Sequence, residues 1–129
     1  MLGALLVSLV LATAGDETYA AQVKSSNETG RPLVVLLSAD YCPHCRVMEG
    51  RINQAKAAKE LDGINLAYLN TERDSKARAL QAGNDRIPQL IVVRLAADGG
   101  WETRRVIGSQ SREVLSELLK WAREPAAKP

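Results

Sequence analysis

At 129 residues the chain is long enough for one compact domain with a buried core that needs neither disulfide staples nor a structural metal. Seventeen basic and fifteen acidic residues leave a net charge of +2, too small to point to a nucleic-acid partner, and 46% hydrophobic with 25% charged residues is an ordinary globular composition. Phe is absent and aromatics total 4%, so the core has to be built from Leu, Ile, Val and Ala.

Leu2 to Ala14 is apolar or small, carries no charge and ends in "ATA" before Gly15 and Asp16, the pattern of a signal-peptide hydrophobic region with small residues at its cleavage site. It falls short of the roughly 20 residues that a bilayer span needs. The "MLG" ahead of it lacks the basic residue usual in such a leader. A second small-residue site, "TYA" before Ala21, allows cleavage as late as residue 20. The expectation is an exported, periplasmic or otherwise extracytoplasmic protein, in a compartment where disulfides persist. A buried or frayed terminal helix and a lipid-embedded anchor are the other readings of this stretch.

Residues 15–30 are mostly polar with Ala20, Ala21 and Val23 among them, which reads as a short amino-terminal helix closed by Gly30 and followed by Pro32. The period then changes. "PLVVLLSA" is a continuous apolar run of strand length, suited to a sheet buried on both faces. From the cysteines onward Val47, Met48, Ile52, Ala55, Ala58 and Leu61 recur at helical spacing until Asp62 and Gly63. "INLAYLN" is a second strand, and "DSKARALQAG" a helix with Ala77, Leu80 and Ala82 toward the core and Gly83 as its stop.

"PQLIVVRL" and "WETRRVIG" read as two further strands joined by "AADGG", where Asp-Gly-Gly supplies the positive φ angles of a tight reversal. The last helix is "SQSREVLSELLKWA", capped by Ser109 or Ser111, with Val114, Leu115, Leu118, Leu119 and Ala122 on one face. Glu124 to Pro129 is a frayed tail. The order α, β, α, β, α, β, β, α predicts an α/β fold with a mixed four-stranded sheet and helices on both faces. Strands separated by helices are expected to pair in parallel, and the hairpin to add an antiparallel edge strand.

Both cysteines stand in "DYCPHCRVME", at the junction of the first strand with the helix that follows. A Cys-x-x-Cys there has a redox rationale. Unpaired N–H groups at a helix amino terminus carry partial positive charge and stabilise a sulfur as thiolate, the form that attacks disulfides. Cys42 is so placed and is the candidate nucleophile; Cys45, one turn inside, is the candidate resolving thiol. Pro43 at the first helical position wastes no N–H, and His44 offers a donor and a positive charge, so both are candidate redox-tuning residues.

Other chemistry remains open at this point. A purely structural bridge would close a four-residue loop and contribute only about 2 kcal/mol. Zinc needs four ligands, and Cys42, His44 and Cys45 leave the set short. Cys42, Cys45 and Met48 could offer soft sulfur to copper(I), the reading of a metallochaperone.

From Arg31 to Trp121 the chain resembles the thioredoxin fold family, and its "CPHC" is similar to the active-site motif of the DsbA disulfide oxidases. "RIPQLIVV" and the Gly108 of "RRVIGSQ" are the second and third marks. The resemblance implies that residues 31–123 form a thioredoxin-like domain, that Pro88 is a cis-proline opening the strand that faces the cysteines, and that Ile87 holds a substrate peptide by its backbone. Tyr41, beside Cys42, is a further candidate substrate contact. It also implies a thiol-disulfide oxidoreductase that exchanges disulfides with protein or peptide substrates and is reset by a redox partner. No metal, organic cofactor or nucleic acid is expected, and the expected form is a monomer.

Two departures bear on mechanism. The long helical insertion of the DsbA proteins is missing, and Leu36 stands where thioredoxins carry a buried Asp, six residues ahead of the first cysteine. Asp40 and Glu49 read as a solvated rim rather than as its replacement. The direction of electron flow stays open, because such proteins range from about −270 to about −120 mV. A copper(I) metallochaperone and a non-catalytic thioredoxin-like binding module are the alternatives.

Overall fold

Eight elements run through residues 14–125, the part of the chain that the computed structural model describes: α1 (Ala14–Thr29), β1 (Leu33–Ser38), α2 (Pro43–Ala57), β2 (Asn65–Asn70), α3 (Ser75–Leu80), β3 (Gln89–Leu95), β4 (Trp101–Ile107) and α4 (Arg112–Arg123). The order is the expected one. The signal-peptide reading of residues 1–14 falls, apart from Ala14, outside the described residues, as does the tail beyond Pro125.

The four strands form one sheet in the order β2-β1-β3-β4. Every residue of β1 is buried, and strand alternation divides its side chains between two cores. Val34 and Leu36 meet Met48, Ile52 and Ala55 of α2 and Leu115, Leu118, Leu119 and Ala122 of α4. Leu33, Val35 and Leu37 join Leu69, Ile91 and Ala77 of α3 on the other face, with Tyr19 and Val23 of α1 packed against them. Helices therefore cover both faces, as the continuous apolar run requires.

One pairing differs from expectation. β1 and β2 are parallel, but β3 is antiparallel to β1 although a helix separates it from β2. Asn70 at the end of β2 and Gln89 at the start of β3 both lie at the end of the sheet where β1 stops, beside Ser38 and Leu37, so residues 71–88 reverse the chain instead of crossing back along the sheet. That end also carries Cys42, so the reversal brings Ile87 and Pro88 to the cysteines.

Some apolar positions also differ. α2 stops at Ala57 rather than at Asp62, because Lys59 takes a φ of 62° that a right-handed helix cannot hold. Leu61 and Ile64 fold back into the core, while Val47, Ala58, Ala82 and Val114 lie exposed. α3 is capped from a distance. Asp16 of α1 accepts from the N–H groups of Ser75 and Lys76 at 3.1 and 3.0 Å, while the local cap residue Asp74 accepts from the Asn70 N–H at 2.7 Å. Ser26 of α1 is buried and accepts from Asn65 Nδ2 at 2.9 Å, so the first helix is part of the domain's packing.

Candidate active site

β1 ends at Ser38, and the chain turns through Ala39 to Tyr41, with the Cys42 N–H donating to the Ala39 carbonyl at 3.3 Å. Cys42 has extended backbone angles and is the N-cap of α2. Its Sγ accepts from the Cys45 N–H at 3.2 Å, the bond that a Ser or Asp oxygen makes at an ordinary helix start. Pro43 occupies the first turn and sacrifices no donor.

Cys42 and Cys45 are joined by a disulfide, with Cα atoms 5.2 Å apart, inside the range such bonds accept. Cys42 is 7% exposed and Cys45 is 0% exposed. Of the two, only Cys42 keeps any exposed surface. His44 is exposed and donates to no described residue, so the donor to the Cys42 sulfur is the backbone of Cys45 rather than the imidazole.

The strand register brings the second half of the site alongside. Gln89 pairs with Leu37 of β1 and Ile107 of β4, which sets Pro88 one step further along, level with Ser38. The Ile87–Pro88 peptide bond is cis. Pro88 is buried, Ile87 is half-buried, and the Pro88 carbonyl accepts from the Gly108 N–H at 2.8 Å. Gly108 has a φ of 88°, a conformation that a side chain would oppose. Tyr41 is 70% exposed, and Val47 and Ile107 also show apolar surface at this end of the sheet.

No carboxylate occupies the position of Leu36, which is fully buried in the α2/α4 core. Asp40 is an exposed partner of Arg73 at 2.5 Å and accepts from Asn70 Nδ2 at 3.2 Å. Glu49 pairs with Arg46 at 3.2 Å, and Arg46 also donates to the Ala39 carbonyl at 2.8 Å. Burial, and to a smaller degree the charge of Glu49, push the Tyr68 phenol above its ordinary value. Met48 is fully buried, and its sulfur accepts from the Gln110 N–H at 3.5 Å, so it serves the core. Among the described residues no three His, Cys, Asp or Glu side chains converge as metal ligands.

Two residues that tie the loops around the cysteines and Pro88 are not evident from sequence. Arg46 ties the turn before Cys42 to the helix after it. Gln89, fully buried, bonds to the loop before Pro88. The one available signal for Gln89 is a polar residue inside the apolar run "PQLIVV".

Comparison with known proteins agrees with this architecture. No curated protein sequence matches the chain. Among solved structures, a thioredoxin from Thermus thermophilus superposes with a TM-score of 0.65 at 22% identity, covering 81% of this chain and 84% of that one. A thioredoxin from Fasciola hepatica gives 0.62 at 24% identity, with 81% and 94% covered. Trxlp from Edwardsiella tarda gives 0.60 at 27% identity, with 77% and 91% covered. These likenesses concern the fold. The family model described as thioredoxin-like matches residues 13–94, a span that contains α1, the cysteine pair and all but the last residue of β3, and the chain therefore belongs to the thioredoxin-like family.

Proposed function

We propose that the chain is an exported thiol-disulfide oxidoreductase that exchanges disulfides with protein substrates through Cys42 and Cys45. The observation that carries this is the asymmetry of the pair: Cys42 caps a helix and is accessible, while Cys45 is its enclosed neighbour. An N–H aimed at the Cys42 sulfur and the positive end of α2 both favour a thiolate there.

The exchange runs in two displacements. A substrate thiolate attacks Cys42 Sγ; the Cys42–Cys45 bond breaks, its electron pair leaves on Cys45, and a substrate–Cys42 disulfide forms. The second substrate thiolate then attacks the substrate sulfur of that bond and releases Cys42 as thiolate. The substrate has lost two electrons and two protons, the enzyme pair has gained the electrons, and the protons pass to solvent and the enzyme thiols. The same steps reversed reduce a substrate disulfide. The enzyme works as a monomer, with Tyr41, Ile87 and Pro88 meeting the substrate, and a separate redox partner resets it.

Export rests on the apolar stretch Leu2–Ala14 and on a small-residue cleavage pattern. Of the two cleavage points, the packing of α1 favours the one after Ala14, because cutting after Ala20 would remove both Asp16 and Tyr19 from the fold. The test of function is a titration of the purified protein against glutathione, with the oxidised fraction read by thiol alkylation. A two-electron transition is expected. A pair that stays oxidised, or stays reduced, at every glutathione ratio and exchanges with no protein disulfide would overturn the proposal.

A further inference from the structure

One buried amide organises the loop that delivers Ile87 and Pro88. Gln89 is 0% exposed, and strand alternation puts its side chain on the same face as Ile91, toward α1 and α3. Its Nε2 donates to two loop carbonyls, that of Asn84 at 2.6 Å and that of Arg86 at 2.9 Å. Its Oε1 accepts from Arg105 Nη1 at 2.6 Å. Both amide protons and the amide oxygen are thus engaged. Asn84 tightens the same turn, its Oδ1 accepting from the Arg86 N–H at 2.9 Å.

Ile87 lies between two anchors. On one side the Arg86 carbonyl is held by Gln89, and on the other the Pro88 carbonyl is held by the Gly108 N–H. The N–H and C=O of Ile87 itself bond to no described residue. A backbone donor and acceptor that are fixed in direction and unpaired are what an extended peptide needs in order to add as a strand. Holding them in place beforehand lowers the ordering cost of that encounter.

We infer that Gln89 is a positioning residue for substrate. Acting through the Asn84 and Arg86 carbonyls, it aims the Ile87 main chain at a peptide lying across the cysteine pair, and Arg105 holds Gln89 in turn. The inference rests on the oxidoreductase reading and on the backbone pairing expected at Ile87, and adds the residues that position it, Gln89 and Arg105. A small dithiol reaches Cys42 without that pairing and is indifferent to Gln89.

The experiment compares two half-reactions, reduction of a disulfide-bonded peptide by the reduced chain with dithiothreitol as the electron donor that re-reduces it, and reduction of the oxidised chain by dithiothreitol alone, in the full chain and in Gln89→Leu and Arg105→Met. In Gln89→Leu, kcat/KM for the peptide is expected to fall about tenfold, chiefly through KM, while the rate with dithiothreitol stays within about twofold and the redox potential is unchanged. Arg105→Met, at an exposed position, should lower the peptide rate alone by about threefold. If Gln89→Leu does not fold, Arg105→Met decides. Equal loss in both reactions, or no loss for the peptide, overturns the inference. A wild-type chain that exchanges with dithiothreitol but not preferentially with the peptide removes the positioning role and leaves the enzyme reading intact; one that exchanges with neither removes both.

Discussion

The Cys45 N–H points at the Cys42 sulfur from 3.2 Å, so the backbone of the enclosed cysteine stabilises the accessible one. The same helical turn that buries Cys45 supplies the donor, so under the proposed function the division of roles follows from local geometry. In the reduced protein Cys42 should therefore be alkylated first, at a pH of roughly 5 to 7 where an ordinary thiol is protonated. Mass spectrometry of partly labelled protein checks this; equal labelling of both residues would contradict it.

Cys45→Ser should leave attack intact and abolish release. Substrate proteins should then accumulate as covalent complexes through Cys42, visible on a non-reducing gel and absent after reduction. Cys42→Ser should trap none. An identical pattern for the two variants is the contrary result.

The cap on α3 links the amino-terminal helix to the edge of the site. Asp16 accepts from Ser75 N–H, Ser75 Oγ and Lys76 N–H, and loss of a capping carboxylate costs about 1 kcal/mol. Asp16→Ala should lower the midpoint of denaturant unfolding by a corresponding amount without altering the redox potential. The same contacts predict that exported protein begins at Gly15 rather than at Ala21, which the intact mass of secreted material reads directly.

Much of this was legible in the sequence, and the exceptions share a cause. The element order follows from changes of apolar period, and the position of Cys42 follows from the strand that precedes it. The direction of β3 does not, because the apolar period does not say at which end of the sheet residues 71–88 deliver the chain. The Asp16 cap is invisible because its partners lie 59 and 60 residues away. Gln89 is hidden similarly: its bonds to the loop are local, but its burial depends on how that loop folds over the sheet. Val47 and Ala58 fall on the apolar face by spacing because a helical stripe is broad, and only the packed partner shows which of its edges is covered.

Glu60 gives a pH dependence whose sign can be worked out. The hydrogen bond from Arg112 foremost, then that involving Ser116 and the charges of Arg112 and Arg123, hold its carboxyl down to about 2, from 4.5. A folded-state value below the unfolded one means that the stabilisation is fully present above 4.5 and is lost as pH falls through about 2. Because Arg112 joins α4 to Glu60 beyond the end of α2, protonation of Glu60 should remove a small part of the domain's stability. Glu60→Gln should flatten the stability profile within that window, as read by urea midpoints at successive pH values, and an unchanged slope would dissociate Glu60 from it.

His44 separates charge from hydrogen bonding at the cysteines. Since it is exposed and donates to no described residue, any influence on Cys42 has to act through the charge that an imidazole carries when protonated. Removing that charge should raise the Cys42 thiol pKa, weaken the reduced state and make the couple more reducing. One pKa unit corresponds to about 1.4 kcal/mol, or roughly 30 mV for a two-electron couple. His44→Gln keeps a donor and loses the charge, whereas His44→Pro also removes an N–H and stiffens the turn. Both variants should shift by a similar amount, and the shift should shrink in high salt because the charge is exposed to screening. A shift confined to His44→Pro would assign the effect to backbone geometry. If neither variant moves the potential, the thiolate is held by the Cys45 N–H and the helix end alone, and the histidine of "CPHC" has no part in setting it.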